Sequence, residues 1–107
     1  MGLRNLHEGK AENLASLVEA KPHQVVSMSL SRNENVNISI LAFSSGEDLS
    51  DESYPADTLY LVLEGSMEVV MENASVSVSQ WQVLKVPAGK THRLSAKESF
   101  KIMQISL

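Results

Sequence analysis

Thr58-Leu59-Tyr60-Leu61-Val62-Leu63-Glu64-Gly65-Ser66-Met67-Glu68-Val69-Val70-Met71 is the stretch on which the fold turns. Thr58 to Leu63 is apolar and β-favouring, and Glu64-Gly65 stops it. Ser66 to Met71 starts a second run, which ends at Glu72-Asn73-Ala74. Two such runs around a Gly-bearing break read as two strands. Ser75-Val76-Ser77-Val78-Ser79 follows at period two, the pattern of a half-buried strand. Val83 to Val86 is a further strand, closed by Pro87-Ala88-Gly89. There Pro fixes φ and Gly admits positive φ.

Outward from this centre the pattern continues. Val25 to Leu30 and Val36 to Phe43 flank a turn at Asn33-Glu34-Asn35, and His92 to Ala96 and Phe100 to Leu107 complete the set. Ser44 to Asp57 reads as a long polar loop broken by Gly46 and Pro55. Only Ala11 to Ala20 reads as helix, with Leu14, Leu17 and Val18 at i, i+3 and i+4. Many short strands separated by turn residues predict an all-β sandwich or closed barrel of eight or more strands. At 107 residues and 11.7 kDa the chain has room for one compact core. A single domain is expected, with a barrel over about 25–107 and an N-terminal arm over 1–24.

Composition narrows the function classes. There is no run of eighteen apolar residues, hence no membrane span. Residues 1–8 are charged and lack the apolar segment of a secretory signal. Cysteine is absent, so disulfides and thiol chemistry are excluded, and a cytoplasmic setting is expected. The net charge of −4 speaks against nucleic acid and anionic membranes as partners. No Lys or Arg lies between Arg32 and Lys85, whereas Lys85, Lys90, Arg93, Lys97 and Lys101 follow. Acidic and basic strands are therefore expected to neighbour and neutralise one another. There is no Gly-rich phosphate loop, no nucleophile elbow and no helix-turn-helix pattern.

Two spacings carry a family resemblance. In Gly46-Glu47-Asp48-Leu49-Ser50-Asp51-Glu52-Ser53-Tyr54-Pro55-Ala56-Asp57-Thr58 and on to Gly65, the positions resemble the first cupin motif. That motif runs Gly, five residues, His-x-His, three or four residues, Glu, six residues, Gly. Trp81 to His92, with Pro87-Ala88-Gly89 inside it, is similar to the second motif: Gly, five residues, Pro-x-Gly, two residues, His. The resemblance implies a double-stranded β-helix, the jelly-roll barrel of small single-domain cupins. It also implies a homodimer. The backbone-setting Gly46, Gly65, Pro87 and Gly89 are kept. At the positions where the resemblance implies metal ligands stand Glu52, Tyr54 and Thr58, with His92 alone matching; Trp81 replaces the opening Gly, and Ala96 the final Asn.

This donor set argues against a tight transition metal, which needs three or more protein ligands. If any metal is held, His92 and Glu52 are its candidates; otherwise no cofactor is expected. Tyr60 shares strand parity with Thr58 and Val62, so it faces the same side. A pocket lined by His92, Glu52, Tyr54, Thr58 and Tyr60 and binding a small polar molecule is the first reading. The second is a metal-dependent enzyme, a dioxygenase or isomerase, with an atypical ligand set. Met28, Met67, Met71 and Met103 read as core filler and Trp81 as a surface aromatic. A homodimer is also expected from the exposed strand edges and the apolar Leu14, Leu17 and Val18, which need cover.

Overall fold

The computed structural model describes residues 2–107. Among the described residues nine strands form two antiparallel sheets. They are β1 (Val25–Arg32), β2 (Asn37–Phe43), β3 (Asp48–Glu52), β4 (Thr58–Glu64), β5 (Ser66–Met71), β6 (Ala74–Ser79), β7 (Val83–Val86), β8 (His92–Ser95) and β9 (Phe100–Ser106). One sheet runs β1-β2-β9-β4-β7 and the other β3-β8-β5-β6. The chain passes repeatedly between the sheets, as in a double-stranded β-helix. Eight of the strands fall where the apolar alternation put them.

Two expectations fail. The polar stretch 44–57 is not all loop, because Asp48–Glu52 pairs with β8. Its single inward apolar residue, Leu49, was too little for periodicity to register. The helix over Ala11 to Ala20 is also absent; a 3-10 turn at Leu14–Ser16 stands in its place, capped by the Asn13 side chain on the Ala15 N–H. A ten-residue helix is marginal alone. Here Leu6, Leu14, Ala15, Leu17, Val18 and Ala20 spread over a broad sheet, which one helical stripe could not reach. The arm is fastened by a backbone bond from Arg4 N–H to Leu30 C=O (2.8 Å) and by Lys101 Nζ donating to Ala15 C=O (2.6 Å). The apolar segment expected to need cover thus finds it on the chain's own sheet.

That arrangement produces two cores. Between the sheets lie Phe43, Tyr60, Val62, Met67, Val69, Leu94, Phe100 and Ile102, with Phe43 stacked on Phe100 at 4.4 Å between centroids. Under the arm, on the outer face of the five-stranded sheet, lie Val18, Leu30, Ile40, Ala42 and Leu63. Three ion pairs, Lys85–Asp57, Lys90–Glu72 and Lys101–Glu64, join the basic C-terminal third to the acidic middle.

Candidate functional site

Parity places the polar residues. On β9, Phe100 and Ile102 point into the barrel, so Gln104 and Ser106 do too. Gln104 pairs across to Ser39 and Tyr60, and Ser106 to Asn37 and Thr58. The inward face of the five-stranded sheet is therefore apolar at one end and hydrogen-bonding at the other. The polar end is the barrel mouth.

From the opposite sheet come Glu52 and His92, which are register partners. Glu52 faces inward only because β3 is irregular. Leu49 pairs with Leu94 and Glu52 with His92, so three steps along β3 match two along β8. One extra residue makes a bulge. Asp51 carries it at φ 54°, a left-handed conformation that costs a non-glycine residue on the order of 1–3 kcal/mol. Without the bulge, strict alternation from Leu49 would turn Glu52 to solvent.

The side chains form a chain of hydrogen bonds. His92 is 2% exposed and Tyr60 fully buried. The carbonyl of Lys90 accepts from His92 Nδ1 (3.0 Å), which puts the ring proton there. Nε2 then offers its lone pair to the Tyr60 hydroxyl at 2.7 Å. Burial pushes the Tyr60 hydroxyl far above its ordinary value, with Tyr54 and Glu52 adding to the effect. Tyr60 therefore keeps its proton and donates it. Tyr54 lies above this pair, 6.1 Å from the His92 ring between centroids, and donates its hydroxyl to Glu52 Oε1 (2.9 Å). Burial is also the main cause raising Tyr54, and Glu52 adds to it. The Gly89 N–H holds the Tyr54 carbonyl at 2.7 Å, tying the β3–β4 segment to the Pro87-Ala88-Gly89 turn.

Of the five residues expected to line a pocket, the structure brings Glu52, Tyr54, Tyr60 and His92 into one cluster. Thr58 stands apart from it, buried and bonded to Ser106 (3.2 Å between hydroxyl oxygens). Only Tyr54 borders the cleft at the mouth, a space of about 460 Å³ whose other walls include Ser39, Gln104, Ser106, Asn37 and Arg32. Tyr60 and Thr58 are buried and do not reach it, and His92 borders instead a separate depression with Asp51, Glu72, Lys90 and Arg93. Gln104, Ser39 and Ser106 escaped the sequence reading, although their alternation with Ile102, Phe100 and Leu41 marked them as inward.

The donor set does not fit a metal. Both ring nitrogens of His92 are engaged within the protein, and Glu52 is bound to Tyr54. Among the described residues no three His, Cys, Asp or Glu side chains converge, and no buried side-chain polar atom lacks a partner. The cluster is saturated by its own hydrogen bonds.

No protein-family model matches the chain, and no curated protein does. Solved structures do. A conserved protein of unknown function from Streptococcus pyogenes shares the fold at a TM-score of 0.95 and 23% identity, covering 100% of this chain and 94% of that one. A cupin 2 conserved barrel domain protein from Leptotrichia buccalis matches with a TM-score of 0.87 and 29% identity, over 90% of this chain and 47% of that one. A cupin superfamily protein from Desulfitobacterium hafniense is 40% identical over 100% of this chain and 98% of its own, at a TM-score of 0.96. With that identity held end to end, and with the motif spacings folded into two facing sheets, the chain belongs to the cupin superfamily.

Proposed function

We propose that this cupin binds a small polar molecule in the cleft at its barrel mouth, without a metal. The observation that carries the reading is the change of the inward face, within two residue rows, from Phe100 and Ile102 to Gln104 and Ser106. Convergent hydroxyl and amide groups at the end of an apolar barrel are the usual make-up of a small-molecule site. Tyr54 forms the inner wall, and Gln104, Ser39 and Ser106 supply neutral donors and acceptors. The Glu52–Tyr54 and Tyr60–His92 bonds hold that wall in place from behind. Both ring nitrogens of His92 and one oxygen of Glu52 are already engaged within the protein, so binding ranks above catalysis. The absence of cysteine accords with work in a reducing cytoplasm.

An NMR titration of the full chain with glucose and with lactate tests it. One probe should shift the backbone amides of Ser39, Gln104 and Ser106 in a saturable way, and Gln104→Leu should weaken that binding about tenfold, the effect of losing one or two hydrogen bonds. Shifts confined to the depression lined by Lys90, Arg93 and Glu72, or no saturable shift from either probe, would remove the reading.

A further inference from the structure

We propose that the depression between the N-terminal arm and the β6–β7 turn is a saccharide-binding site whose platform is Trp81. Trp81 is a side chain the fold does not need. It is 69% exposed, and its backbone stands at φ 69°. A left-handed conformation disfavours any residue with a Cβ, and an exposed indole recovers little of that cost by burial. The turn is nevertheless held firmly. The Trp81 N–H donates to the Val62 carbonyl (2.7 Å), and the Val62 N–H to the Gln82 carbonyl (3.1 Å). Gln82 Oε1 accepts from the Ser79 N–H (2.9 Å), and Gln80 Nε2 donates to the Leu63 carbonyl (3.2 Å). A strained, anchored and solvent-facing aromatic is a pre-organised contact surface.

Beside it lies a depression of about 520 Å³, within the roughly 300–1,000 Å³ usual for small-molecule clefts. The arm from Glu12 to Ser16 forms one wall; Trp81, Gln80, the end of β4 and the start of β9 form the other. None of its residues borders the cleft at the barrel mouth. The arm's wall is fixed as well. The two carboxylate oxygens of Glu12 accept from the backbone N–H and from Nδ1 of His7 (2.9 Å each). Lys101 Nζ donates to the Ala15 carbonyl (2.6 Å) and reaches Glu64 Oε2 at 3.1 Å.

The groups left open select the ligand. Glu12 is taken up by His7, and Glu64 is paired with Lys101. What remains is neutral. Asn13 gives its Oδ1 to the Ala15 N–H and keeps its Nδ2 donors; Gln80 gives its Nε2 to Leu63 and keeps Oε1. Ser16 keeps its hydroxyl, and the indole keeps its N–H. Donors and acceptors thus stand around a broad apolar ring. A pyranose with equatorial hydroxyls is the complement. Its C–H face packs on the indole by dispersion and sheds water there, while each hydroxyl at its edge both donates and accepts. A quaternary ammonium also favours an indole face, but the carboxylates that would reinforce it are both engaged.

The chain has a single tryptophan, so its emission reports on this site. Titrating the full chain with cellobiose, whose two rings carry equatorial hydroxyls, should change that emission in a saturable way at millimolar concentrations. It should also shift the backbone amides of Ser16 and Gln80. Trp81→Gly suits the left-handed backbone and should keep the far-UV spectrum of a β protein, yet weaken the amide-detected binding about tenfold, the loss of a stacking contact. Trp81→Phe keeps an aromatic face and should retain most of the affinity. Gln104→Leu at the barrel mouth should leave the Trp81 response unchanged, so the two sites stand or fall separately. Three results would overturn the proposal: no saturable response to cellobiose, undiminished cellobiose binding in Trp81→Gly, or tighter binding of tetramethylammonium chloride than of cellobiose at matched ionic strength. The last would assign the depression to a cation.

Discussion

At the scale of single residues, Tyr60 and His92 illustrate how a buried polar pair is held. Each supplies what the other lacks, and water is excluded from both. Tyr60→Phe keeps the ring's packing but leaves His92 Nε2 without a donor, at a cost of about 1–3 kcal/mol. Urea denaturation at neutral pH measures that loss. The same substitution should change the alkaline limb of stability. The Tyr60 hydroxyl titrates from an ordinary value of 10.0 when unfolded and far higher when folded. A raised folded value means that the stabilisation is complete below pH 10 and is lost as pH rises further, because the unfolded chain releases the proton first. The wild-type protein should therefore weaken between about pH 9.5 and 11.5 more steeply than the Tyr60→Phe variant, a range set by the ordinary tyrosine value. Parallel slopes would show that Tyr60 ionises freely in the folded protein. Trp81 offers the opposite case. Its left-handed backbone favours glycine, so Trp81→Gly should raise stability by about 1 kcal/mol, read as a higher urea midpoint.

At the scale of elements, one bulge and one turn decide where chemistry stands. The bulge in β3 points Glu52 at Tyr54. Glu52→Gln removes the carboxylate that the bulge points at Tyr54. A spectrophotometric titration of the two tyrosines should then show Tyr54 ionising at lower pH than in the wild type, since the neighbouring carboxylate that adds to its shift is gone. An unchanged titration would mean that burial alone sets Tyr54. The β4–β5 turn depends on Gly65, at φ 76°, where an added Cβ would stand 2.8 Å from the Ser99 carbonyl oxygen. Conformation and clash act together there. Gly65→Ala should cost about 2–4 kcal/mol, read as a lower denaturation midpoint.

At the scale of the whole molecule, the arm substitutes for a helix by spreading its apolar residues over the sheet. Val18 is 5% exposed, and Val18→Ala should lower stability by about 1.5–2.5 kcal/mol, the loss of two buried methylene equivalents plus part of a cavity. Leu3, 66% exposed in the same arm, should tolerate Leu3→Ala within about 0.5 kcal/mol. Equal effects at the two positions would refute the arm's packing.

The sequence by itself determined eight of the nine strands, because period-two alternation and Gly- or Pro-bearing turns are local facts. It determined the inward side of Thr58, Tyr60 and Val62 by parity, and the weakness of the metal-ligand set by residue type. Only the tertiary structure decided that β3 pairs at all, since its one inward apolar residue, the half-buried Leu49, gains its partner Leu94 forty-five positions away. It also decided that Glu52 points inward, because a bulge breaks the parity on which a sequence reading depends. Helix against wrap in the arm was settled by the shape of the surface receiving Leu14, Leu17 and Val18. The wall of the cleft came last, because Gln104 and Ser39 acquire a common role only when β9 and β2 lie side by side.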